Sequence, residues 1–218
     1  MKPIGIFGGT FDPVHLGHLR VIIEILENYD LKELRLVPCN TPPIKRAAVA
    51  SNEQRLEMLR LAIDEQKNVN IDDIEMHREG PSYTFDTLAA IKEKLPGVQL
   101  YLFLGTDAFL SLNHWHRWHD ILELAHIIVI HRPGWDIDST ELTNNVDEEI
   151  KSILRTRLVH DKTALKQNEA GKIILLPIRK LDISSSEIRN LIRSGKNPRY
   201  LLPQDVLNFI YSRHLYSA

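Results

Sequence analysis

The stretch Ile4-Gly5-Ile6-Phe7-Gly8-Gly9-Thr10-Phe11-Asp12-Pro13-Val14-His15-Leu16-Gly17-His18 decides how the rest of the chain is read. Ile4 to Phe7 is a short apolar run of the kind that forms a strand buried on both faces. Gly8-Gly9 breaks the run and Asp12-Pro13 turns the chain. Leu16, Leu19, Ile22, Ile23 and Leu26 then recur with helical spacing, so a strand–loop–helix unit opens the chain. His15 and His18 stand at the start of that helix and share one face about a turn long. Adjacent glycines leave main-chain N–H groups uncovered, and a helix N-terminus adds unpaired donors with a partial positive charge. Such a turn is a site for an anion with two imidazoles beside it, and a polyphosphate is the guest that fits.

Working outward, apolar runs and helical patterns alternate. Glu33 to Cys39 reads as a second strand, and Asn40 to Arg46, with Pro42-Pro43, as a stiff exposed loop. Ser51 and Gln54 have capping-box spacing before a helix with Leu56, Leu59 and Ile63 on its apolar face. Val69 to Ile74 is a third strand, His77 to Tyr83 a polar loop, and Thr84 opens a helix that stops at Pro96-Gly97. Val98 to Leu104 is an apolar fourth strand that ends in the polar turn Gly105-Thr106-Asp107. An aromatic and histidine-rich stretch, Asn113 to His119, precedes a fifth strand from His126 to Ile130. Residues 135–150 are polar and acidic and are expected to form a mobile loop, followed by a helix from Asp147 to Val159. Lys172 to Leu176 is the last strand, and helices over Ser184 to Ser194 and Pro203 to Leu215 complete the pattern.

Strict alternation predicts an α/β fold: a doubly wound, mostly parallel, Rossmann-like sheet with C-terminal helices. The expected organisation is one domain over 1–218, with an α/β core at 1–180 and a helical part at 181–218. In a 3-2-1-4-5 strand order the ligand crevice falls between the first and fourth strands, where Gly8-Gly9 and Gly105-Thr106-Asp107 would face each other. A net charge of −2 provides no basic field for nucleic acid or a membrane surface. One cysteine, Cys39, permits no internal disulfide and suits a reducing compartment. Met1-Lys2-Pro3 leads into the first strand without an apolar signal segment, so the expected location is the cytoplasm.

The opening stretch lacks the Lys-Ser/Thr that closes a P-loop and misses the G-x-G-x-x-G spacing of dinucleotide folds. It resembles instead the G-G-x-F-x-x-x-H-x-G-H signature of the HxGH nucleotidyltransferase superfamily. Ile183-Ser184-Ser185-Ser186-Glu187-Ile188-Arg189 is similar to a second signature of that superfamily, with Ser186 in place of the usual threonine. Glu75, Arg78, Gly80, Ser82-Tyr83-Thr84, Thr87-Leu88, Gly105-x-Asp107, Trp115 and His131-Arg132-Pro133-Gly134 resemble the nicotinate-nucleotide adenylyltransferase branch.

The resemblance implies adenylyl transfer from ATP to nicotinate mononucleotide, with Mg²⁺ carried on the ATP and no metal held by the protein. It implies catalytic roles for His15, His18, Lys45 and Arg189, the histidines and cations offsetting charge as pyrophosphate leaves. Gly8, Gly9, Thr10, Phe11, His18, Gly105, Asp107, Arg132, Ser184 and Ser186 would then hold ATP. Tyr83, Thr84, Trp115 and His116 would hold nicotinate mononucleotide, with the indole stacked on the pyridinium ring. Main-chain N–H groups near Thr84 and His116 would cradle its carboxylate. Ile44 stands where that branch often carries a histidine, beside Lys45. The expected partners are these two small molecules, not nucleic acid or membrane, for a monomer or homodimer. From the residues themselves, adjacent polyphosphate favours charged imidazoles at His15 and His18.

Overall fold

The apolar runs become strands in the computed structural model, which describes residues 2–43, 47–64, 66–131, 147–179 and 181–217. They are β1 (Ile4–Gly9), β2 (Glu33–Pro38), β3 (Val69–Ile71), β4 (Leu100–Gly105), β5 (His126–His131) and β6 (Ile173–Pro177). All six lie in one sheet, in the order β3-β2-β1-β4-β5-β6. The β1–β4, β4–β5 and β5–β6 pairs are parallel, with Phe7 opposite Phe103 and Leu104 opposite Val129. Parallel strands joined by helical crossovers are covered on both faces, and every residue of β5 is buried. The expected doubly wound α/β architecture is the observed one.

The helices are α1 (Leu16–Asn28), α2 (Asn52–Ile63), α3 (Thr84–Lys94), α4 (Thr106–Leu110), α5 (Trp118–Leu124), α6 (Glu148–Arg157), α7 (Thr163–Lys166), α8 (Ser185–Arg193) and α9 (Gln204–Ser212). Ser51 and Gln54 make the reciprocal capping box that their spacing predicts. Three details depart from the sequence reading. β3 ends at Ile71, because Asp72 turns the chain: its carboxylate accepts from the Ile74 N–H at 3.2 Å and pairs with Arg35 at 2.9 Å. The buried side of α2 is Arg55, Met58, Leu59 and Ile63, so an arginine lies where Leu56 was expected. The polar turn after β4 is not a loop, since Thr106 and Asp107 begin the short helix α4. The acidic stretch expected as a mobile loop lies outside the described residues up to 146, and from Glu148 it is α6.

Packing divides the chain into two compact units. One consists of Met1–Phe7, Asp30–Leu34 and Tyr83–Ile178, the other of Gly8–Tyr29, Arg35–Ser82 and Arg179–Ala218. The first is built on β4, β5 and β6. His126 is fully buried there, its Nδ1 accepting from the Lys172 N–H at 3.1 Å and its Nε2 bonding the Asn168 carbonyl at 3.0 Å. Burial pushes its pKa down, so the ring is held neutral. The second unit holds α1, α2, α8 and α9. Among the described residues no helix is long and apolar enough to cross a membrane.

Candidate active site

In the second unit, the turn after β1 is tight. Phe11 has a φ of 49°, the Asp12–Pro13 peptide is cis, and His15 is the extended N-cap of α1. The His15 Nδ1 accepts from the His18 N–H and the His18 Nδ1 accepts from the His15 N–H, both at 3.3 Å. The two rings stack with centres 3.7 Å apart and planes 25° from parallel. Two histidines therefore make the reciprocal box that serine and glutamate make elsewhere. Each Nδ1 is thus an acceptor for a main-chain N–H of the other histidine. Gly17 has to be glycine for this arrangement, since a Cβ there would stand 2.9 Å from the His15 Nδ1.

The second motif closes directly on the first, across 172 and 177 residues of sequence. Ser184 caps α8 by accepting from the Glu187 N–H at 3.1 Å. The Ser185 hydroxyl donates to the Pro13 carbonyl at 2.8 Å. Arg189 donates to the Asp12 carbonyl and, through Nη2, to the Ser186 hydroxyl oxygen at 3.2 Å. The groove along α8, about 410 Å³, is lined by Ser184, Ser186, Glu187 and Asn190 among others.

Beneath this contact lies a polar network that sequence reasoning missed. The Asp12 carboxylate, 3 % exposed, accepts from the Val49 N–H at 2.7 Å, the Ala50 N–H at 3.1 Å and the Tyr216 hydroxyl at 2.7 Å. The Arg189 guanidinium stands 3.7 Å from it. Burial, and then the Asp12 charge, push the Tyr216 phenol well above its usual range, which keeps it a donor. Arg55 is fully buried, bonding the Thr10 carbonyl at 2.8 Å and Asn52 at 2.6 Å. Burial lowers its pKa while Asp12 opposes the shift. Arg55 was legible in principle, since it shares a helical face with Met58 and Leu59. Asp12 read only as a turn residue, and nothing local marks Tyr216.

The remaining candidates near the carboxyl ends of strands belong to the first unit. Gly105 is the N-cap of α4, and Asp107 is exposed in its first turn. Tyr83 is the N-cap of α3 and makes no side-chain cap. Among the described residues, the Thr84 and His116 N–H groups take no hydrogen-bond acceptor. Trp115 is half-buried, unlike the buried Trp118, so it is not a core tryptophan. The His116 ring rests on Tyr83, 4.4 Å between centres. In the second unit Gly8 and Gly9 end β1 and Thr10 follows them, whereas Lys45 and Arg132 lie outside the described residues. Among the described residues, no group of three or more His, Cys, Asp or Glu could hold a metal ion.

The serines of the second motif are tied to the main chain and to Arg189, and the histidines to each other. Among the described residues of the two motifs no nucleophile is poised, and two motifs of phosphate-binding type held together in this way suit a nucleotidyltransferase. Comparison with known proteins agrees. The cytidylyltransferase-like family model matches residues 6–191. The chain is 42% identical over 215 residues to a probable nicotinate-nucleotide adenylyltransferase of Methylococcus capsulatus, covering 98% of this chain and 99% of that one. It is 41% identical over 216 residues to a protein of the same name from Aeromonas salmonicida, with 99% and 98% covered. Its fold is shared with the Plasmodium falciparum nicotinic acid mononucleotide adenylyltransferase complexed with NaAD, at a TM-score of 0.73 and 23% identity over 99% and 98% of the two chains. The chain belongs to the nicotinate-nucleotide adenylyltransferase family of cytidylyltransferase-like proteins.

Proposed function

We propose that the chain transfers the adenylyl group of ATP to nicotinate mononucleotide, giving nicotinate adenine dinucleotide and pyrophosphate in NAD synthesis. The observation that carries this reading is the bonding of Ser185 and Arg189 to Pro13 and Asp12, which brings the two phosphate-type motifs into one site. An oxygen of the mononucleotide phosphate attacks the α-phosphorus of ATP. The bond from that phosphorus to the bridging oxygen breaks in line, and pyrophosphate leaves with the electron pair. The attacking oxygen is already an anion, so the protein has no proton to remove. Catalysis is positioning and charge stabilisation by the imidazoles of His15 and His18, the Arg189 fork, and the N–H groups of Gly8, Gly9 and the α8 N-terminus. Ser184 and Ser186 orient those donors. Mg²⁺ enters on the ATP phosphates as part of the substrate.

Lys45 and Arg132 complete the phosphate contacts by family resemblance, and Asp107 takes a ribose hydroxyl. Trp115 stacks on the pyridinium ring, beside Tyr83. The Thr84 and His116 N–H groups receive the carboxylate, which only accepts, whereas a carboxamide sets its own N–H₂ against one of them. Charge-assisted bonds and an opposed donor are worth a few kcal/mol together, so a preference for the acid of at least ~100-fold in kcat/KM follows. The whole chain acts as one nucleotidyltransferase domain, in the cytoplasm, as a monomer or homodimer, without nucleic-acid or membrane partners.

The test is pyrophosphate release from ATP with a panel of acceptors: nicotinate mononucleotide, nicotinamide mononucleotide, FMN and phosphopantetheine. Fast release with the first alone is the expected result. Release with another acceptor only, or with none despite ATP binding, overturns the assignment.

A further inference from the structure

Two contacts grip the segment after Trp115 on either side of Thr84, the first residue of α3. The His116 ring lies 4.4 Å from the Tyr83 ring at 31°, and meets the Phe85 ring edge-on at 6.4 Å. The Arg117 guanidinium stands 3.7 Å above the centre of the Phe85 ring, and its Nε donates to Asp120 at 2.6 Å. Tyr83 and Phe85 are the sequence neighbours of Thr84, so the grip straddles the residue whose N–H has no acceptor among the described residues.

The backbone at Arg117 adds a second observation. Its φ of 53° and ψ of 38° lie in the left-handed region, which turns the chain from extended Trp115 into α5. A residue with a Cβ pays for that conformation and keeps it only where its surroundings hold it. Here the ring of Phe85 and the carboxylate of Asp120 hold the side chain, and the side chain holds the turn. Neither Arg117 nor Phe85 has a part in the chemistry proposed above.

We infer that Arg117, acting through Phe85, is a positioning residue that fixes the spacing of the Thr84 and His116 N–H donors and so sets the preference for a carboxylate over a carboxamide on the pyridine ring. The inference rests on the proposed transfer to nicotinate mononucleotide. A carboxylate has two equivalent oxygens and gains from two donors at fixed separation. A carboxamide has one oxygen, and in a rigid pair its N–H₂ is opposed. When the His116 segment loosens, the acid loses a partner and the amide loses an obstacle. The discrimination therefore falls even where transfer continues, and the phosphate donors His15, His18 and Arg189, which belong to the other compact unit, are left intact.

The experiment measures kcat and KM for both mononucleotides, and KM for ATP, on the full chain and on Arg117→Gly, Arg117→Lys and Phe85→Leu. Glycine adopts a positive φ freely, so Arg117→Gly removes the guanidinium and spares the turn. Lysine keeps the charge without the plane that stacks on Phe85. The acid-over-amide ratio should drop about tenfold in Arg117→Gly and Phe85→Leu, through a higher KM for the acid with KM for ATP within about twofold, and less in Arg117→Lys. An unchanged ratio in both, against a parent that prefers the acid, overturns the inference and leaves the proposed function standing. So does a rise of both KM values together, which marks a merely structural role. A parent that uses neither mononucleotide, or both equally, overturns the proposed substrate and the inference with it.

Discussion

At His18 the Nδ1 accepts from the His15 N–H as half of the cap of α1, and the imidazole is the donor proposed for a phosphate oxygen. His18→Ala removes both the donor and half of the cap. Losing a donor aimed at the transition state costs about 2.7–4 kcal/mol, so kcat should fall by roughly 10²–10³. The lost cap should cost about 0.5–2 kcal/mol in a urea titration; a kcat within a factor of two of the parent would refute the assigned role. His126 makes a separate prediction. The unfolded chain takes up a proton at its ordinary pKa near 6.5, whereas burial holds the folded ring's pKa lower. Below that pH the unfolded state binds more protons, so this contribution is fully present above about pH 6.5 and is lost as pH falls through the lowered folded value. Melting temperatures measured from pH 8 to 5 should drop more steeply for the parent than for His126→Gln, and parallel curves would remove the effect. The histidine pair, Ser184 and Arg189 were legible because motif spacing marks them. Asp12 was not, because a turn carboxylate looks solvated until distant chain covers it.

Among the elements, legibility followed locality. The cap of α2 depends on residues a single turn apart and stands where the spacing puts it, whereas at α8 only the Ser184 half of such a cap is made. The end of β3 was misjudged because Asp72 satisfies its own turn and an ion pair with Arg35, contacts that no alternation pattern encodes. The short helices α4 and α7 fall below the length at which periodicity speaks. The segment after α9 is anchored by a bond of the strong kind, from the Tyr216 hydroxyl to a buried carboxylate. Tyr216→Phe should therefore destabilise the fold by about 1.5–3 kcal/mol, read as a lower urea midpoint with an unchanged slope. A midpoint equal to the parent's would show that the hydroxyl contributes nothing.

For the molecule as a whole, strand order was inferable because connection rules leave few ways to alternate strands and helices in a parallel sheet. The division into two compact units was not, since each is assembled from three separate stretches of sequence. Ligand-linked stability tests the site at this scale. ATP at a hundredfold excess over its Kd should add about 2.7 kcal/mol, a rise of roughly 5–10 °C for a chain of this size. Arg189→Lys should shrink that rise, since lysine cannot reproduce the planar fork on phosphate oxygens, and should leave the rise with nicotinate mononucleotide intact. Equal ATP shifts in the two proteins would remove Arg189 from the nucleotide contacts. The bond between Asp12 and Tyr216 also has a consequence in time. The two residues are 204 positions apart, and a ribosome adding about 5–20 residues per second needs about 10–40 s to pass from one to the other. Throughout that interval the nascent turn that bears both histidines carries a carboxylate still lacking its phenol, and for most of it lacking Arg189 as well. The polar network beneath the histidine turn is completed only once translation has passed Tyr216, and until then its opening residues wait in the care of water or of chaperones.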